Sequence, residues 1–284
     1  MDVVTGAQND ALAKLSRTHA VLLDMDGVIY VGDTALPGVR ELLDYLNRTN
    51  REWLFVTNNS SRSSQAFADK LARMDIHVGP EKILGSAEAT ANWLAGKERP
   101  GARVIMMGEA SLRDSLAKKG FELVDDPFAA EVAVASIFFG VNYEALAKMT
   151  LAIRNGARFV ATNPDATLPT ERGQVPGTGS LIALLTVASD RKPEFVGKPY
   201  PGMYEQAIKR VGADAATTLM VGDRYETDIE GAIKLGMPTA GVLTGVTTRD
   251  GYSQVEAPPD LVVEGLPELL AYFRRADSSA EKAV

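Results

Sequence analysis

The stretch that decides the fold is His19-Ala20-Val21-Leu22-Leu23-Asp24-Met25-Asp26-Gly27, in which an apolar run ends in two acids and a glycine. Short continuous apolar runs are typical of strands that are buried on both faces of a parallel sheet. Open α/β sheets bind ligands at the carboxyl ends of their strands, so Asp24 and Asp26 are candidate functional residues. Alternation points both carboxylates to similar sides, and Gly27 permits a sharp exit from the strand. The alternative is a pair of turn-forming acids.

Further apolar runs with helical patterns between them predict an α/β fold that is built round a parallel sheet. One series of strands is predicted at 20–23, 53–56, 218–221 and 239–243. A second series, at 103–107, 132–139 and 158–161, lies inside the first, and helices are predicted at 63–74 and 142–155. This nesting predicts a core domain formed by 1–98 and 179–284, with an inserted α/β domain at 99–178. The edges fall at the turn-rich segments 96–101 and 173–179.

Composition restricts the function further. The formal net charge of −7 argues against nucleic acid as a partner, because binding a phosphate backbone needs a basic face. No apolar run is long enough to span a bilayer, and the first residues lack the plan of a signal peptide, so we expect a cytoplasmic protein. With no cysteine and two histidines, catalysis must rest on carboxylates, hydroxyls or lysine.

The second predicted strand ends in a hydroxyl and amide cluster, Thr57-Asn58-Asn59-Ser60-Ser61, just before a predicted helix. Such a strand end presents donors where an anion can bind. The alternative is a helix N-cap formed by Ser60, Ser61 or Ser63. Both interpretations can hold at once, with Thr57 facing the ligand and a later serine capping the helix.

Lysine 198 stands between a glycine and a proline in Phe195-Val196-Gly197-Lys198-Pro199. This rigid setting indicates an ammonium group that is held in place to neutralise a phosphoryl oxygen or an acidic neighbour. The alternative is an ordinary solvated lysine in a loop.

The run Leu219-Met220-Val221-Gly222-Asp223 repeats the design of the first strand, and Asp228 follows five positions later. Four acids gathered at one sheet edge would repel each other strongly unless a hard cation lay among them. These acids are Asp24, Asp26, Asp223 and Asp228. An all-oxygen site suits magnesium. Asp228 has the alternative roles of helix N-cap and of partner for Lys198.

Taken in order, these motifs resemble the haloacid dehalogenase superfamily, and in particular its class IIA, NagD-like or 4-nitrophenylphosphatase-type branch. The stretches that carry the resemblance are Asp24-Met25-Asp26-Gly27-Val28-Ile29-Tyr30, Thr57-Asn58-Asn59, Gly197-Lys198-Pro199, Gly222-Asp223-Arg224-Tyr225-Glu226-Thr227-Asp228-Ile229, Ala161-Thr162-Asn163-Pro164-Asp165 and Pro176-Gly177-Thr178-Gly179-Ser180. They span nearly the whole chain, and none departs from the family at a catalytic position. The resemblance implies a Rossmann-like core with a large inserted α/β cap.

The resemblance also implies a magnesium-dependent phosphatase. Asp24 is then the nucleophile that forms an aspartyl phosphate, and Asp26 is the general acid and base, with a pKa raised by burial or by neighbouring acids. Magnesium is bound by the Asp24 carboxylate, the Asp26 backbone carbonyl and Asp223, while Asp228 orients Lys198 or a metal-bound water.

The phosphoryl oxygens are expected to bind Thr57, Lys198 and the backbone amides near Asn58 and Asn59. Asn163 and Asp165, in the loop 162–170, are the candidate readers of the leaving group.

Within the resemblance the expected substrate is a small phosphorylated metabolite, and the cap is a possible homodimer contact. A dehalogenase or a phosphomutase of the same fold remains an alternative, although a dehalogenase needs neither Asp26 nor the metal. A phospho-acceptor signalling module uses a similar cluster of aspartate, hydroxyl and lysine. Such modules are short and have no inserted domain, which counts against that alternative.

Overall fold

A computed structural model describes residues 6–170 and 172–281, which form two compact units. The first unit contains 6–56, 68–83 and 207–281, and the second contains the described residues of 57–67 and 84–206. The domain boundaries expected from the sequence, 99–178 for the cap, stay a prediction.

The strands alternate with helices along most of the chain. In chain order the strands are β1 (Ala20–Leu23), β2 (Tyr30–Val31), β3 (Thr34–Ala35), β4 (Glu52–Thr57), β5 (Ile83–Gly85), β6 (Arg103–Met107), β7 (Glu122–Leu123), β8 (Val132–Ala135), β9 (Arg158–Ala161), β10 (Thr167–Thr170), β11 (Gly173–Pro176), β12 (Glu194–Phe195), β13 (Thr218–Gly222), β14 (Thr239–Val242) and β15 (Leu261–Val263). The α-helices are α1 (Gly6–Ser16), α2 (Val39–Arg48), α3 (Ser64–Arg73), α4 (Ser86–Ala95), α5 (Ala110–Lys118), α6 (Tyr143–Arg154), α7 (Thr178–Ser189), α8 (Pro201–Val211), α9 (Glu230–Lys234), α10 (Arg249–Ser253) and α11 (Leu266–Glu281). A single π-helical turn, Tyr225–Ile229, precedes α9.

The first sheet has the strand order β15-β14-β13-β1-β4-β5, and β1 pairs in parallel with both β13 and β4. All four residues of β1 and all five of β13 are buried, which explains their continuous apolar sequences. From β1 the chain runs to β4 and β5 on one side and returns through β13 on the other. The strand order therefore reverses between β1 and β13, which is where open α/β sheets bind their ligands.

The second sheet has the order β12-β9-β8-β6-β7, and its pairings are parallel. Its core joins alternate residues of β6, β8 and β9 to α6 and α7, for example Ile105, Phe159, Ile153 and Leu185. The α/β class with parallel sheets predicted from the sequence is confirmed.

Two predicted elements were wrong in detail. The apolar run 132–139 is a strand only as far as Ala135. The next residue, Ser136, still donates its amide to the Met107 carbonyl at 2.8 Å, and its hydroxyl forms buried hydrogen bonds with Ser60 and Thr162, at 2.6 and 3.0 Å. Phe139, beyond the strand end, is exposed. The segment 173–179, predicted to be a turn-rich edge of the inserted domain, contributes β11, which pairs antiparallel with β10. None of the helices in the described part of the chain combines the length and the apolarity needed to cross a bilayer.

A partly buried ion pair joins α11 to the segment before β4. The guanidinium of Arg51 donates two hydrogen bonds to the Asp277 carboxylate, at 2.9 and 2.6 Å, and the Tyr45 hydroxyl donates a third at 2.5 Å. Burial alone would raise the pKa of Asp277, but the hydrogen bonds from Arg51 and Tyr45 outweigh it and hold that pKa below its usual value. Burial and the bond to Asp277 also raise the pKa of Tyr45 to about 12.

This pair predicts a pH-dependent contribution to stability. Because the pKa of Asp277 is lower in the folded than in the unfolded state, its contribution is present above about pH 4 and is lost as the pH falls through the folded value. We expect Asp277→Asn to lower the free energy of unfolding by about 1–3 kcal/mol at pH 7. Urea unfolding at pH 7 and pH 3 measures the difference.

The matched control is Asp44→Asn on the exposed face of α2, which should change stability by less than about 0.5 kcal/mol. A deficit of Asp277→Asn that stays constant down to pH 3 would contradict the prediction.

Candidate active site

Three carboxylates meet at the carboxyl edge of the first sheet, where the strand order reverses. The register of β1 and β13 pairs Leu23 with Val221, and the Asp24 amide donates to the Val221 carbonyl at 2.9 Å, so Asp24 and Asp223 leave neighbouring strand ends. One carboxylate oxygen from each of Asp24, Asp223 and Asp228 lies within 4.8 Å of the others, and all three residues are buried. Ionised carboxylates at such a separation repel each other by about 3–4 kcal/mol per pair at an effective dielectric constant of about 20.

The donor chemistry of this acid cluster (Asp24, Asp223 and Asp228) fits a hard divalent cation. All the ligand atoms are carboxylate oxygens, which magnesium prefers, and a cation among them would offset their mutual repulsion. Asp228 reaches the cluster from the π-helical turn, where its Oδ2 also accepts the amide of Arg224 at 3.1 Å. Asp228 is therefore a member of the acid cluster, and the alternative of a helix N-cap is wrong, because the N-cap residues of the π-helical turn and of α9 are Arg224 and Ile229.

Asp26 does not share this environment. Its side chain is exposed, so burial, one of the two causes expected to raise its pKa, is absent, and its carboxylate is not among the three clustered ones. The hydroxyl of Tyr30 donates to Asp26 Oδ2 at 3.2 Å and restrains the carboxylate. Gly27, which has a φ of 80°, makes the sharp exit that the sequence indicated.

The loop after β14, residues 244–247, supports the acid cluster and was not predicted from the sequence. Asp223 Oδ2 accepts the amide of Val246 at 2.8 Å, and the Asp223 carbonyl accepts that of Thr247 at 2.9 Å. The Thr244 hydroxyl donates to the Gly27 carbonyl at 2.5 Å. The available signal was the position of this loop, which follows an apolar strand at the same sheet edge as Asp24 and Asp223.

Two glycines enclose the Asp223 carboxylate. A Cβ added at Gly27 would lie 2.6 Å from Asp223 Oδ2, and one added at Gly245 would overlap that carboxylate outright. Beneath the cluster, the hydroxyl of the buried Tyr252 donates to the Gly222 carbonyl at 3.3 Å. Burial raises the pKa of Tyr252, and the nearby charges of Asp228 and Asp223 raise it further, so this phenol stays a neutral donor.

The cluster that follows β4 is ordered by its own side chains. The Thr57 hydroxyl accepts the Asn59 amide at 3.1 Å, which leaves its proton available for another acceptor. Asn59 Oδ1 accepts both the amide and the hydroxyl of Ser61, at 3.0 and 2.7 Å. Ser63 caps α3 by accepting the Ala66 amide at 3.2 Å. The expectation that a later serine caps the helix is confirmed.

Lys198 is almost fully buried, with 1% of its surface exposed, so it is not the solvated loop lysine of the alternative interpretation. The Asn58 side chain binds its backbone on both sides: Oδ1 accepts the Lys198 amide, and Nδ2 donates to the Lys198 carbonyl, both at 2.8 Å. Asn163 Nδ2 donates to the Asn58 carbonyl at 2.8 Å, and Asn58 Nδ2 donates to Asp165 Oδ1 at 3.3 Å. The structure thus brings four predicted site residues together within the second unit: Asn58, Asn163, Asp165 and Lys198.

Comparison with known proteins gives a consistent result. Residues 21–122 match the family described as haloacid dehalogenase-like hydrolase, and residues 195–269 match a related haloacid dehalogenase hydrolase-like family. The chain is 38% identical over 261 residues to an acid sugar phosphatase of Staphylococcus aureus, an alignment that covers 92% of this chain and 100% of that protein.

Two solved structures show the same architecture. A 4-nitrophenylphosphatase from Thermotoga maritima superposes with a TM-score of 0.85 at 32% identity, covering 91% of this chain and 98% of that one. NagD from E. coli K-12 superposes with a TM-score of 0.83 at 31% identity, covering 88% of this chain and 98% of that one.

The enclosure of Asp223 by glycine predicts the effect of one added methyl group. We expect Gly245→Ala to displace the Asp223 carboxylate and to weaken magnesium binding about 10–100-fold, measured by isothermal titration calorimetry. Gly96→Ala is the matched control, because its added Cβ would meet its nearest atom, the Trp93 carbonyl oxygen, at an ordinary 3.5 Å. Unchanged magnesium affinity in a folded Gly245→Ala protein would show that Asp223 does not hold the ion.

Proposed function

We propose that this chain hydrolyses small phosphate monoesters through an aspartyl phosphate on Asp24. The premise is that the chain belongs to the haloacid dehalogenase-like hydrolases and is a NagD-like phosphoric monoester hydrolase. The observation that carries the proposal is the buried acid cluster at the point where the strand order reverses. A carboxylate there is fixed on a buried strand end, which suits a nucleophile that must approach phosphorus in line.

In the proposed reaction, Asp24 forms a bond to phosphorus while the bond from phosphorus to the leaving oxygen breaks. Asp26 donates a proton to that oxygen, and the exposed position of its side chain leaves it accessible to a leaving group. Asp26 then takes a proton from water as the water oxygen bonds to phosphorus and the Asp24–phosphorus bond breaks. The products are the alcohol and inorganic phosphate.

The groups that would hold the magnesium ion are the carboxylates of Asp24, Asp223 and Asp228 and the backbone carbonyl of Asp26. Bound there, magnesium supplies the positive charge that lowers repulsion between the Asp24 carboxylate and an anionic ester. The bond from the Val246 amide to Asp223 Oδ2 supports this assignment, because it fixes the position of the Asp223 carboxylate within the acid cluster.

The phosphoryl oxygens would be bound by Thr57, by Lys198 and by the backbone amides near Asn58 and Asn59. The Thr57 hydroxyl is oriented to donate because its oxygen already accepts the Asn59 amide. The Lys198 ammonium, on a buried and doubly anchored backbone, would stabilise the charge that spreads over those oxygens.

The relatives support a phosphatase over the other chemistries that the sequence left open. The names of the three similar proteins include an acid sugar phosphatase and a 4-nitrophenylphosphatase, and none describes a dehalogenase, a mutase or a signalling module. A small phosphorylated metabolite is therefore the proposed substrate. The homodimer through the cap, the absence of nucleic-acid and membrane partners and the cytoplasmic location stay predictions from the sequence.

Removal of the nucleophile gives the most direct test. We expect Asp24→Asn to lower the magnesium-dependent hydrolysis of 4-nitrophenyl phosphate by more than about a thousandfold, with thermal unfolding near that of the wild type. Asp114→Asn, the same substitution at an exposed position of α5, serves as control and should keep full activity. Activity of Asp24→Asn near the wild-type rate would remove Asp24 as the nucleophile.

The role of Asp26 can be separated from that of Asp24 by the choice of substrate. Nitrophenolate leaves without a proton, whereas an alkoxide does not, so Asp26→Ala should slow alkyl phosphates by about 10²–10⁴-fold and 4-nitrophenyl phosphate much less. Each preparation is assayed on both substrates, so that loss of folded protein affects both equally. Equal losses on the two would argue against a proton transfer by Asp26.

A further inference from the structure

Side-chain and backbone groups of Asn58, Asn163 and Asp165 together form a closed hydrogen-bonded ring, which we call the amide ring. Asn58 Nδ2 donates to Asp165 Oδ1 at 3.3 Å, the Asp165 amide donates to Asn163 Oδ1 at 3.2 Å, and Asn163 Nδ2 donates to the Asn58 carbonyl at 2.8 Å. Asn58 and Asn163 are buried, at 8% and 3% exposure. Both protons of the Asn58 amide have acceptors within the protein.

The amide ring forms hydrogen bonds with the backbone of Lys198. Asn58 Oδ1 accepts the Lys198 amide and Nδ2 donates to the Lys198 carbonyl, so one side chain satisfies both polar groups of one residue, as a neighbouring strand would. On the other side, the Gly197 amide donates to the Thr162 carbonyl at 2.8 Å. A Cβ at Gly197 would lie 2.7 Å from Asn58 Oδ1, so the approach is as close as glycine allows.

From this geometry we infer that Asn58, Asn163 and Asp165 are positioning residues that fix the Lys198 ammonium for the phosphoryl group, and that they do not bind the substrate through their side chains. The inference rests on the proposed function, in which Lys198 binds the phosphoryl oxygens. It replaces the expectation from the sequence that Asn163 and Asp165 read the leaving group, and it leaves the expected contact through the backbone amides near Asn58 unchanged. Both side-chain protons of Asn58 already have acceptors in Asp165 and Lys198, and the Asn163 side chain is already bonded to the Asn58 carbonyl and the Asp165 amide.

The loop after β9 is thereby tied to the lysine. Asn163 and Asp165 belong to the segment between β9 and β10, and Lys198 follows β12, which pairs in parallel with β9. A shift of this loop would move Asn58 and, with it, the backbone of Lys198. A misplacement of about 1 Å at a group that stabilises a transition state can cost on the order of a hundredfold in rate.

The test is a double-mutant cycle on Asn58 and Lys198. We expect Asn58→Ala to lower kcat/KM about 10–100-fold, by the same factor for every phosphate monoester, because Lys198 acts on the group that all of them share. In a Lys198→Ala background the same substitution should cost less than about threefold. Losses that are additive, or that differ from one leaving group to another, would overturn the inference.

Asp165 provides the conservative comparison. Asp165→Asn keeps the Oδ1 acceptor for Asn58 and should keep activity within about threefold, whereas Asp165→Ala should lose about as much as Asn58→Ala. If the charge of Asp165 contacted the substrate, both variants would lose activity alike, and the inference would fail.

Competitive inhibition by inorganic phosphate gives a readout that needs no leaving group. Its inhibition constant should rise in Asn58→Ala and in Lys198→Ala, and should not change in Asn142→Ala. Asn142 is the matched control, because its side chain caps α6 by accepting the Ala145 amide at 2.9 Å, so its loss removes a comparable hydrogen bond far from Lys198 in sequence.

The outcomes separate the inference from the proposed function. Full activity and unchanged phosphate inhibition in Lys198→Ala would refute the proposed role of Lys198, and the inference with it. An inactive Lys198→Ala beside a fully active Asn58→Ala would refute the inference alone and leave the proposed function standing.

Discussion

The parallel register between β1 and β13 is the constraint on which the rest of the site depends. It pairs Leu23 with Val221, so the chain delivers Asp24 and Asp223 to the same sheet edge from points about two hundred residues apart. Both strands are buried along their whole length, and a register slip of one residue would turn every side chain to the opposite face. The packing that stabilises the sheet therefore also fixes the separation of the carboxylates.

Gathering buried acids has a cost that nearby backbone groups reduce. Asp223 receives the amide of Val246 and Asp228 receives that of Arg224, so each carboxylate has a fixed donor that does not depend on a bound ion. Hydrogen bonds from a backbone amide to a charged carboxylate are stronger than those between neutral groups, so these two donors offset part of the cost. Gly245 permits this arrangement, since any side chain there would occupy the space of the Asp223 carboxylate.

The sequence predicted those parts of the fold that are encoded locally. The strands at 20–23, 103–107 and 158–161 were predicted to the residue, because each is a short, mainly apolar run with helical patterns or turn-forming residues on either side. The same rule failed at 132–139, where the apolar run continues past the strand and includes Ser136, whose hydroxyl contacts the distant residues Ser60 and Thr162. Long-range contacts of that kind leave no mark in a local pattern.

The candidate site, like the fold, was predictable only where it is encoded by neighbouring residues in the sequence. Acids and a lysine at strand ends are visible in the sequence, but the support from Val246 and the amide ring depends on which distant loops meet. Asn58 illustrates the limit: its place beside Thr57 suggested a phosphoryl contact through nearby backbone amides, and nothing in the local pattern indicated that both protons of its side chain have acceptors in Lys198 and Asp165. A side chain so committed can influence the reaction only through the groups that it holds. In a site of this kind, residues whose side-chain donors and acceptors are already bonded within the protein position other residues, whereas residues that bind substrate keep a donor or an acceptor for it.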